Sequence, residues 1–302
     1  MHARQFLPES YRPGLERLAS IGYIRLDQRL GPDELEALRG VCDTLLASAP
    51  PGFKRVGDFL RLTPEEPVAR VEYLFDKHPA FLALAAHPSI VACATAVLGD
   101  EPVVTWEDLF VKQYGSTLEV PFHQDSLYQS RRSPVVRFGI YLDDSSPSPL
   151  RVLPGSHTLG ALHADAIQEI VRARPDAIEE VSMGPGGILV HDTMLIHASV
   201  AHPDAPPRRV VYLEYRTRAQ LAHDSPWDAQ WIERRSRLLP AGRALRAQFP
   251  EIGRMAEGWS DVPDSIRSAV QDSLRVDHDE QARPDFHLVG ASRASNDARH
   301  SA

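Results

Sequence analysis

"GGILVHDTMLIHASV", residues 186–200, contains two short apolar runs with polar residues between them. Segments of the same kind are β-branched or aromatic and are separated by Gly, Pro, Asp or Ser; they are "PVVTWEDLFVKQYG" (102–115), "SPVVRFGIYLDD" (133–144), "LRVLPGSH" (150–157) and "RRVVYLEYR" (208–216). Many short strands at such intervals are typical of a sandwich or barrel of antiparallel strands. We therefore predict a β core over about residues 101–218.

Helical patterns lie on both sides of this core. In "GPDELEALRGVCDTLLAS" (31–48), a proline and two acidic residues begin a helix with an apolar stripe. "HPAFLALAAHPSIVACATAVLGD" (78–100) predicts two short helices broken at Pro88 and closed by Gly99. Other segments predict a strand at 22–28, a Pro/Gly-rich loop near 49–67 and helices within 161–181, 225–239 and 240–249. We expect a single domain over 1–276, with a helical C-terminal extension over 222–276 and a flexible polar tail over 277–302.

Composition limits the possible partners. The chain has 302 residues, 43% of them hydrophobic, and a net charge of −8, which argues against a nucleic-acid or anionic-membrane partner held by bulk electrostatics. No apolar run approaches the roughly 20 residues of a membrane span, and the N-terminus lacks the apolar core of a secretory signal. The two cysteines, Cys42 and Cys93, form neither a disulfide framework nor a Cys-based zinc site. We expect a cytoplasmic protein with a small-molecule substrate; the oligomeric state is not determined by these features.

A candidate metal site lies in "PFHQDSLYQS" (121–130). His123 and Asp125 are two residues apart, so on a strand both side chains project to the same face. A surface ion pair is the alternative. His197, at the end of "TMLIH", supplies a third ligand from within the β region. Two imidazoles and one carboxylate leave three positions of an octahedral metal open, which suits ferrous iron with a bidentate co-substrate and dioxygen.

An arginine would anchor the carboxylate of such a co-substrate, because its planar fork pairs with both carboxylate oxygens. Arg208 and Arg209 follow in "HPDAPPRRVVYLEYR", at the start of the next strand. Adjacent strand residues point to opposite faces, so one arginine faces inward and the strand phase decides which. We expect Arg208 to face inward and Ser199, which shares a face with His197, to donate a second hydrogen bond.

Four motifs in this order resemble the phytanoyl-CoA dioxygenase family of Fe(II)- and 2-oxoglutarate-dependent oxygenases: "VPFHQDSLY", "LRVLPGSHTLG", "GGILVHDTMLIHAS" and "PPRRVVYLEY". The resemblance covers roughly residues 20–216 and implies a double-stranded β-helix (jelly-roll) core. It places the iron ligands at His123, Asp125 and His197. It also implies that Arg208 binds the distal carboxylate of 2-oxoglutarate, with the Ser199 hydroxyl nearby and Arg70, in "VARVEYLF", as a further basic contact.

The chain departs from the family pattern in two loops. "SPSPLRVLPGSH" (146–157) lacks a glycine that often precedes this run, and "GPGG" (184–187) replaces a usual Gly-Asp. Both departures concern loop shape rather than the ligands. Asp125 is retained, so no vacated iron position is left for a chloride, which favours hydroxylation over halogenation.

Other residues have competing interpretations. His191 is a rival ligand, but six residues of a continuous strand would separate it from His197 by about 20 Å, which favours a core or supporting role. The serine and histidine of "PGSH" suggest a turn rather than a nucleophile, because no G-x-S-x-G motif is present. Trp227 and Trp231 are interpreted as packing residues, with a substrate lid as the alternative. The last group either reaches an anionic substrate or lies on solvated strand faces: Lys112, Arg137 and Arg151.

The family resemblance implies a dioxygenase that hydroxylates, desaturates or cyclises an unactivated C–H position of a small organic molecule, possibly a specialised metabolite, with release of succinate and CO2. Two other classes are considered. One is a non-catalytic barrel that binds a metal or small ligand. The other is a metal-dependent hydrolase or isomerase, for which Glu107, Asp108 and His191 are available as bases.

Overall fold

The computed structural model describes residues 12–51, 55–56, 58–61, 66–125, 135–201, 203–223, 227–276 and 289–290. In these residues, two antiparallel β-sheets pack against each other. Their shared apolar cluster includes Tyr141, Leu189 and Val210 from one sheet and Val152 and Val181 from the other. The polar residues singled out from the sequence, among them His123, Asp125, His197 and Arg208, lie beside this cluster, between the two sheets.

Within the described ranges, the larger sheet has eight strands, every neighbouring pair antiparallel. Their spatial order is β1 (Tyr23–Arg25), β10 (Ile188–Asp192), β7 (Val136–Tyr141), β12 (Arg208–Thr217), β5 (Pro102–Lys112), β4 (Arg70–Glu72), β3 (Phe59–Leu60) and β2 (Arg55–Val56). β5 and β12 pair along nearly their whole length, from Arg208 opposite Lys112 to Thr217 opposite Pro102. Several residues of the candidate site lie on this long strand pair.

The smaller sheet has five strands in the part of the chain that the structure describes. Their order is β13 (Val289–Gly290), β6 (Leu118–His123), β11 (His197–Ser199), β8 (Leu150–Val152) and β9 (Glu179–Val181). β6 and β11 are direct neighbours with His123 opposite His197, and a register shift follows between His197 and Ser199. Two histidines far apart in sequence therefore meet by strand pairing.

Helices of the N-terminal half cover the outer face of the larger sheet and its edge. They are α1 (Arg12–Ile21), α2 (Pro32–Ala47), α3 (Leu74–Lys77), α4 (Pro79–Ala85) and α5 (Pro88–Leu98), and α6 (Ala164–Ala173) lies later in the chain. α4 is buried throughout. α4 and α5 each begin with a proline that follows a histidine, and the imidazole Nδ1 of His78 and of His87 accepts a backbone N–H of the first turn at 3.1 and 3.2 Å. α5 ends at Gly99, whose φ of 75° is the left-handed conformation that favours glycine.

The C-terminal helices pack on the same side. They are α7 (Arg218–His223), α8 (Ala229–Ser236), α9 (Leu238–Gln248) and α10 (Asp264–Val270). Arg235 of α8 donates to a Glu107 carboxylate oxygen at 2.5 Å and to the Val104 carbonyl at 2.9 Å, and both side chains of the ion pair are fully buried. Gly242 lets α9 approach α4 closely, since a Cβ there would lie 2.6 Å from the Leu82 carbonyl oxygen. These contacts fix the extension against the back of β5.

The structure confirms the predicted α+β class with a mainly β core of the jelly-roll kind, built as two sheets rather than as one closed barrel. The segment predicted as a loop near 49–67 contributes the short strands β2 and β3. The run 186–200 is two strands in different sheets, β10 and β11, joined by a turn. The division into a domain (1–276) and a flexible tail (277–302) stays a prediction, because most of the tail lies outside the described residues.

Among the described helices, none is by itself long and apolar enough to cross a membrane. α4 and α5 together pass that test by length and composition, with a bend of 48° between them.

Candidate metal and co-substrate site

The candidate metal ligands come from the end of β6 and the start of β11. His123 and His197 are cross-strand partners, and their ring centroids are 4.3 Å apart. Asp125 lies two residues beyond the end of β6, where its backbone N–H donates to the Thr193 carbonyl at 2.8 Å. The intervening Gln124 side chain instead donates to two carbonyls of neighbouring loops, Gly160 and Met194. The structure thus brings together the three residues that the sequence singled out.

The donor atoms of this triad converge. Asp125 Oδ1 lies 3.5 Å from His123 Nε2 and 3.6 Å from His197 Nε2, and one ligand atom from each residue lies within 4.8 Å of the others. The imidazole Nδ1 atoms are 2.8 Å from the Pro121 carbonyl and 2.9 Å from the Leu195 carbonyl. A carbonyl can only accept, so in the neutral imidazole each Nδ1 carries the proton and each Nε2 has the lone pair. The group could hold a metal ion through two imidazole nitrogens and one carboxylate oxygen.

The charge states suit this arrangement. Burial alone would raise the pKa of Asp125. The Arg137 guanidinium and the nearby imidazoles lower it by more than burial raises it, so the pKa lies well below its usual range. Burial lowers the pKa of His197 to about 3, and repulsion from His123 adds to the effect. At neutral pH the site therefore presents one carboxylate and an uncharged His197.

Asp125 is also held by the larger sheet. Its Oδ1 is 3.0 Å from Arg137 Nη1, and its Oδ2 is 3.1 Å from His191 Nε2. The ring centroids of His191 and His197 are 5.1 Å apart. The predicted separation of about 20 Å was wrong, because the chain turns between β10 and β11 and does not continue as one strand. His191 contacts the carboxylate of the triad, in line with the supporting role predicted for it.

A buried cationic group lies in the same cavity. Arg208 is 4% exposed and donates to the Ser148 carbonyl and, at 3.2 Å, to the Ser199 hydroxyl. Its Nε has no hydrogen-bond partner, and no carboxylate lies within 4.0 Å of the guanidinium, among the residues that the structure describes. Lys112, its cross-strand partner, donates to the Val200 carbonyl, and burial together with Arg208 lowers its pKa to about 7. Like charges placed opposite each other are unfavourable, so this pair could hold an anion.

The neighbouring arginines are placed differently. Arg209 points outward, where it pairs with Asp143 at 2.8 Å and with Asp43. Arg70 lines the cavity but is paired with Asp108 at 2.8 Å, and Glu72 lies 3.5 Å away. The structure thus places Arg208 and Ser199 together, whereas the charge of Arg70 is already compensated within the cavity wall.

The remaining candidates lie away from the triad or are already engaged. Ser156 Oγ accepts the Ile196 N–H at 2.8 Å, and His157 contacts the Ala19 carbonyl, as residues of a turn do. Trp227 and Trp231 stack 5.4 Å apart, and the apolar cluster beside them includes Val103 and Leu221, which supports the packing interpretation. An apolar lining completes the cavity: Phe110, Val120, Leu150 and Ala198.

The sequence left Arg137 either reaching an anionic substrate or lying on a solvated strand face, but the structure buries it against Asp125 and Asp108. It occupies an inward position of "VVRFGIY", where the other inward residues are apolar or glycine, and a lone arginine in such a strand is a signal for a buried partner. The partner, Asp125, lies on the other sheet, so no local pattern reveals it.

Comparison with known proteins agrees with this geometry. The sequence is 28% identical over 211 residues to a protein of Gimesia maris named methylphosphonate hydroxylase, covering 68% of this chain and 80% of that protein. The structure is similar to AviO1 from Streptomyces viridochromogenes Tue57, with a TM-score of 0.59 and 27% identity over 72% of this chain and 97% of the other. The fold is shared with EctD from S. alaskensis, whose structure contains 2-oxoglutarate and 5-hydroxyectoine, with a TM-score of 0.61 and 22% identity over 74% and 83% of the two chains.

The sequence profile described as phytanoyl-CoA dioxygenase (PhyH) matches residues 19–210, which is more than half of the chain. This match confirms the predicted resemblance and, with it, the prediction of an oxygenase. The chain belongs to the phytanoyl-CoA dioxygenase family.

Proposed function

We propose that this chain is an Fe(II)- and 2-oxoglutarate-dependent oxygenase that hydroxylates a C–H bond of a small organic molecule, releasing succinate and CO2. The observation that carries the proposal is the convergence of His123, Asp125 and His197 in the cavity that also contains the buried Arg208. A metal-binding triad alone fits many proteins. A triad together with an uncompensated guanidinium fits an enzyme that must hold a second, anionic reactant.

The donor set fits ferrous iron. Two imidazole nitrogens and one carboxylate oxygen, all on one side of a prospective ion, are the ligands of mononuclear iron oxygenases. The hydrogen bonds from Nδ1 to backbone carbonyls fix both ring orientations and make the Nε2 atoms more basic metal ligands. When bound, iron would supply the activation of dioxygen coupled to oxidative decarboxylation of 2-oxoglutarate.

The other cavity residues would bind and orient the co-substrate. Arg208 and the Ser199 hydroxyl would hold the distal carboxylate, with the unpaired Arg208 Nε as an available donor. The apolar wall, which includes Phe110 and Leu150, would exclude water from the reacting end. Arg70 would shape this wall through its ion pair with Asp108 rather than bind 2-oxoglutarate directly.

Hydroxylation is the outcome we favour. Asp125 is present, so the carboxylate position is filled by the protein, and the relative from Gimesia maris is named as a hydroxylase. Neither of the other classes gains support from a particular contact. Glu107 is paired with Arg235 behind β5, and Asp108 and His191 are engaged by Arg70 and Asp125, so a free general base beside the triad is lacking among the described residues.

The test is spectroscopic and needs no knowledge of the substrate. Protein purified without oxygen is mixed with Fe(II), and 2-oxoglutarate is added while the visible absorption is recorded. We expect a metal-to-ligand charge-transfer band that is absent from Asp125→Ala. Asp143→Ala, which removes an aspartate on the outer surface, serves as the matched control and should keep the band. A wild-type protein that binds Fe(II) but shows no band with 2-oxoglutarate would contradict the proposal.

A further inference from the structure

The carboxylate of Asp125 accepts hydrogen bonds from two residues that are themselves neighbours. Arg137 on β7 and His191 on β10 are cross-strand partners in the larger sheet. Arg137 approaches Oδ1 at 3.0 Å, and His191 approaches Oδ2 at 3.1 Å. Arg137 and His191, paired in the larger sheet, therefore contact both carboxylate oxygens of Asp125, which follows a strand of the smaller sheet.

Arg137 is held in place in turn. Its Nη2 lies 3.1 and 3.3 Å from the two oxygens of Asp108, and Asp108 also pairs with Arg70 at 2.8 Å. The guanidinium lies 4.7 Å from the centre of the Tyr212 ring. Gly139, two residues along β7, leaves room for that ring, because a Cβ at this position would lie 3.0 Å from a Tyr212 carbon. All the charged residues in this series of ion pairs are buried, so their geometry is fixed by packing as well as by charge.

We propose that Arg137 is the positioning residue of the metal-binding carboxylate, turning Asp125 Oδ1 toward the two imidazoles. The inference rests on the proposed function only in that His123, Asp125 and His197 bind a metal. Rotation about the Asp125 side chain would otherwise carry Oδ1 away from its places 3.5 and 3.6 Å from the two Nε2 atoms. An arginine suits the task because two different Nη atoms of one rigid plane reach Asp125 and Asp108 together.

Two effects of the guanidinium on metal affinity oppose each other. Its positive charge disfavours a nearby cation, while its hydrogen bond orients the ligand oxygen. Loss of partners that orient metal ligands weakens metal binding by about 10- to 100-fold, so we expect orientation to outweigh repulsion. Arg137→Lys separates the two effects, since lysine keeps the charge but has a single nitrogen that cannot bridge both carboxylates.

The experiment measures Co(II) affinity by calorimetry and the Co(II) visible spectrum for the wild type, Arg137→Lys and Arg246→Lys. Arg246 of α9 donates from two nitrogens to the Glu34 carboxylate of α2, away from the triad. Arg246→Lys therefore makes the same chemical change at a different ion pair. We expect Arg137→Lys to bind Co(II) about 10- to 100-fold more weakly and with an altered spectrum, and Arg246→Lys to match the wild type. The melting temperature without metal, measured on the same samples, detects a purely structural effect.

Wild-type affinity and spectrum in folded Arg137→Lys would overturn the inference, even if the variant melts at a lower temperature. If Arg137→Lys does not fold, Asp108→Asn replaces it: this variant removes the charge that anchors Arg137 and leaves Arg137 itself in place. Weaker Co(II) binding by Asp108→Asn then supports the inference, and unchanged binding overturns it. A wild-type protein that fails to bind Co(II), Mn(II) or Fe(II) would refute the metal site itself, and with it the proposed function, whereas wild-type binding with unaffected variants would refute only the role of Arg137.

Discussion

At the scale of single residues, Arg208 and Arg209 provide a paired test because they are adjacent and face opposite ways. Arg208→Ala removes a buried guanidinium from the cavity, whereas Arg209→Ala removes an outer one that pairs with Asp143. Hydrogen bonds to charged groups contribute about 1.5–3 kcal/mol, so we expect Arg208→Ala to weaken 2-oxoglutarate binding by about 10- to 100-fold. Metal affinity should change little in either variant.

The measurement is anaerobic titration of the Fe(II) protein with 2-oxoglutarate. Arg209→Ala is the control and should bind the co-substrate like the wild type. If Arg209→Ala weakened binding and Arg208→Ala did not, the anion site would lie elsewhere.

Much at this scale could be predicted from the sequence. Strand alternation separates Arg208 from Arg209, and it places His123 and Asp125 on one side, although Asp125 lies just beyond the strand. The contact of Arg137 with Asp125 could not be predicted, because it joins residues of different sheets and depends on how the two sheets face each other. The predicted separation of about 20 Å between His191 and His197 was wrong for a related reason, because β10 and β11 lie in different sheets that face each other.

At the scale of elements, β5 separates two buried ion-pair systems. Asp108 faces the cavity and pairs with Arg70 and Arg137, while its neighbour Glu107 faces α8 and pairs with Arg235. The two systems alternate because successive strand residues point to opposite faces. Changes at Glu107 and Arg235 should therefore affect stability without affecting metal affinity.

Arg235→Met leaves the Glu107 carboxylate buried without its charged partner. Breaking a buried pair from one side costs about 3–5 kcal/mol, and burial already raises the pKa of Glu107. We expect Arg235→Met to be strongly destabilised, and the double variant Glu107→Leu/Arg235→Met to recover a large part of the loss. Urea unfolding measures both, and a double variant no more stable than Arg235→Met would contradict this interpretation.

The elements themselves were predicted to different degrees. α2, α4 and α5 were predicted from proline, capping and apolar spacing, which are local signals. The short strands β2 and β3 were not, because two-residue strands exist only through their neighbours in the sheet. The break between β10 and β11 was predicted as two separate apolar runs, but their assignment to different sheets was not, since it depends on strand pairing distant in sequence.

At the scale of the whole molecule, two half-buried histidines, His78 and His87, make stability depend on pH. Burial lowers the pKa of His78 and of His87 in the folded protein. For His87 the Glu34 carboxylate opposes this effect and the Arg246 charge adds to it, but the pKa remains lowered. The unfolded chain takes up a proton on each ring near pH 6.5, whereas the folded chain does not. Their contribution to stability is therefore complete above about pH 6.5 and is lost as the pH falls below that value.

In addition, a protonated Nδ1 can no longer accept the first-turn N–H of α4 or α5. We expect the free energy of unfolding of the metal-free protein to decrease between pH 7.5 and pH 5.5. Asparagine also caps helix N-termini but does not titrate, so the double variant His78→Asn/His87→Asn should show a smaller pH dependence. An equal pH dependence in the double variant would assign the effect to other groups, such as His197.

Two sheets bring the His123–Asp125–His197 triad and Arg208 into one cavity, which we propose holds iron and 2-oxoglutarate. The most direct measurement is a crystal structure grown without oxygen in the presence of Fe(II) and 2-oxoglutarate. We expect the ion on His123 Nε2, His197 Nε2 and Asp125 Oδ1, with the distal carboxylate of 2-oxoglutarate on Arg208. An ion bound elsewhere, or a co-substrate whose distal carboxylate lies away from Arg208, would contradict this proposal.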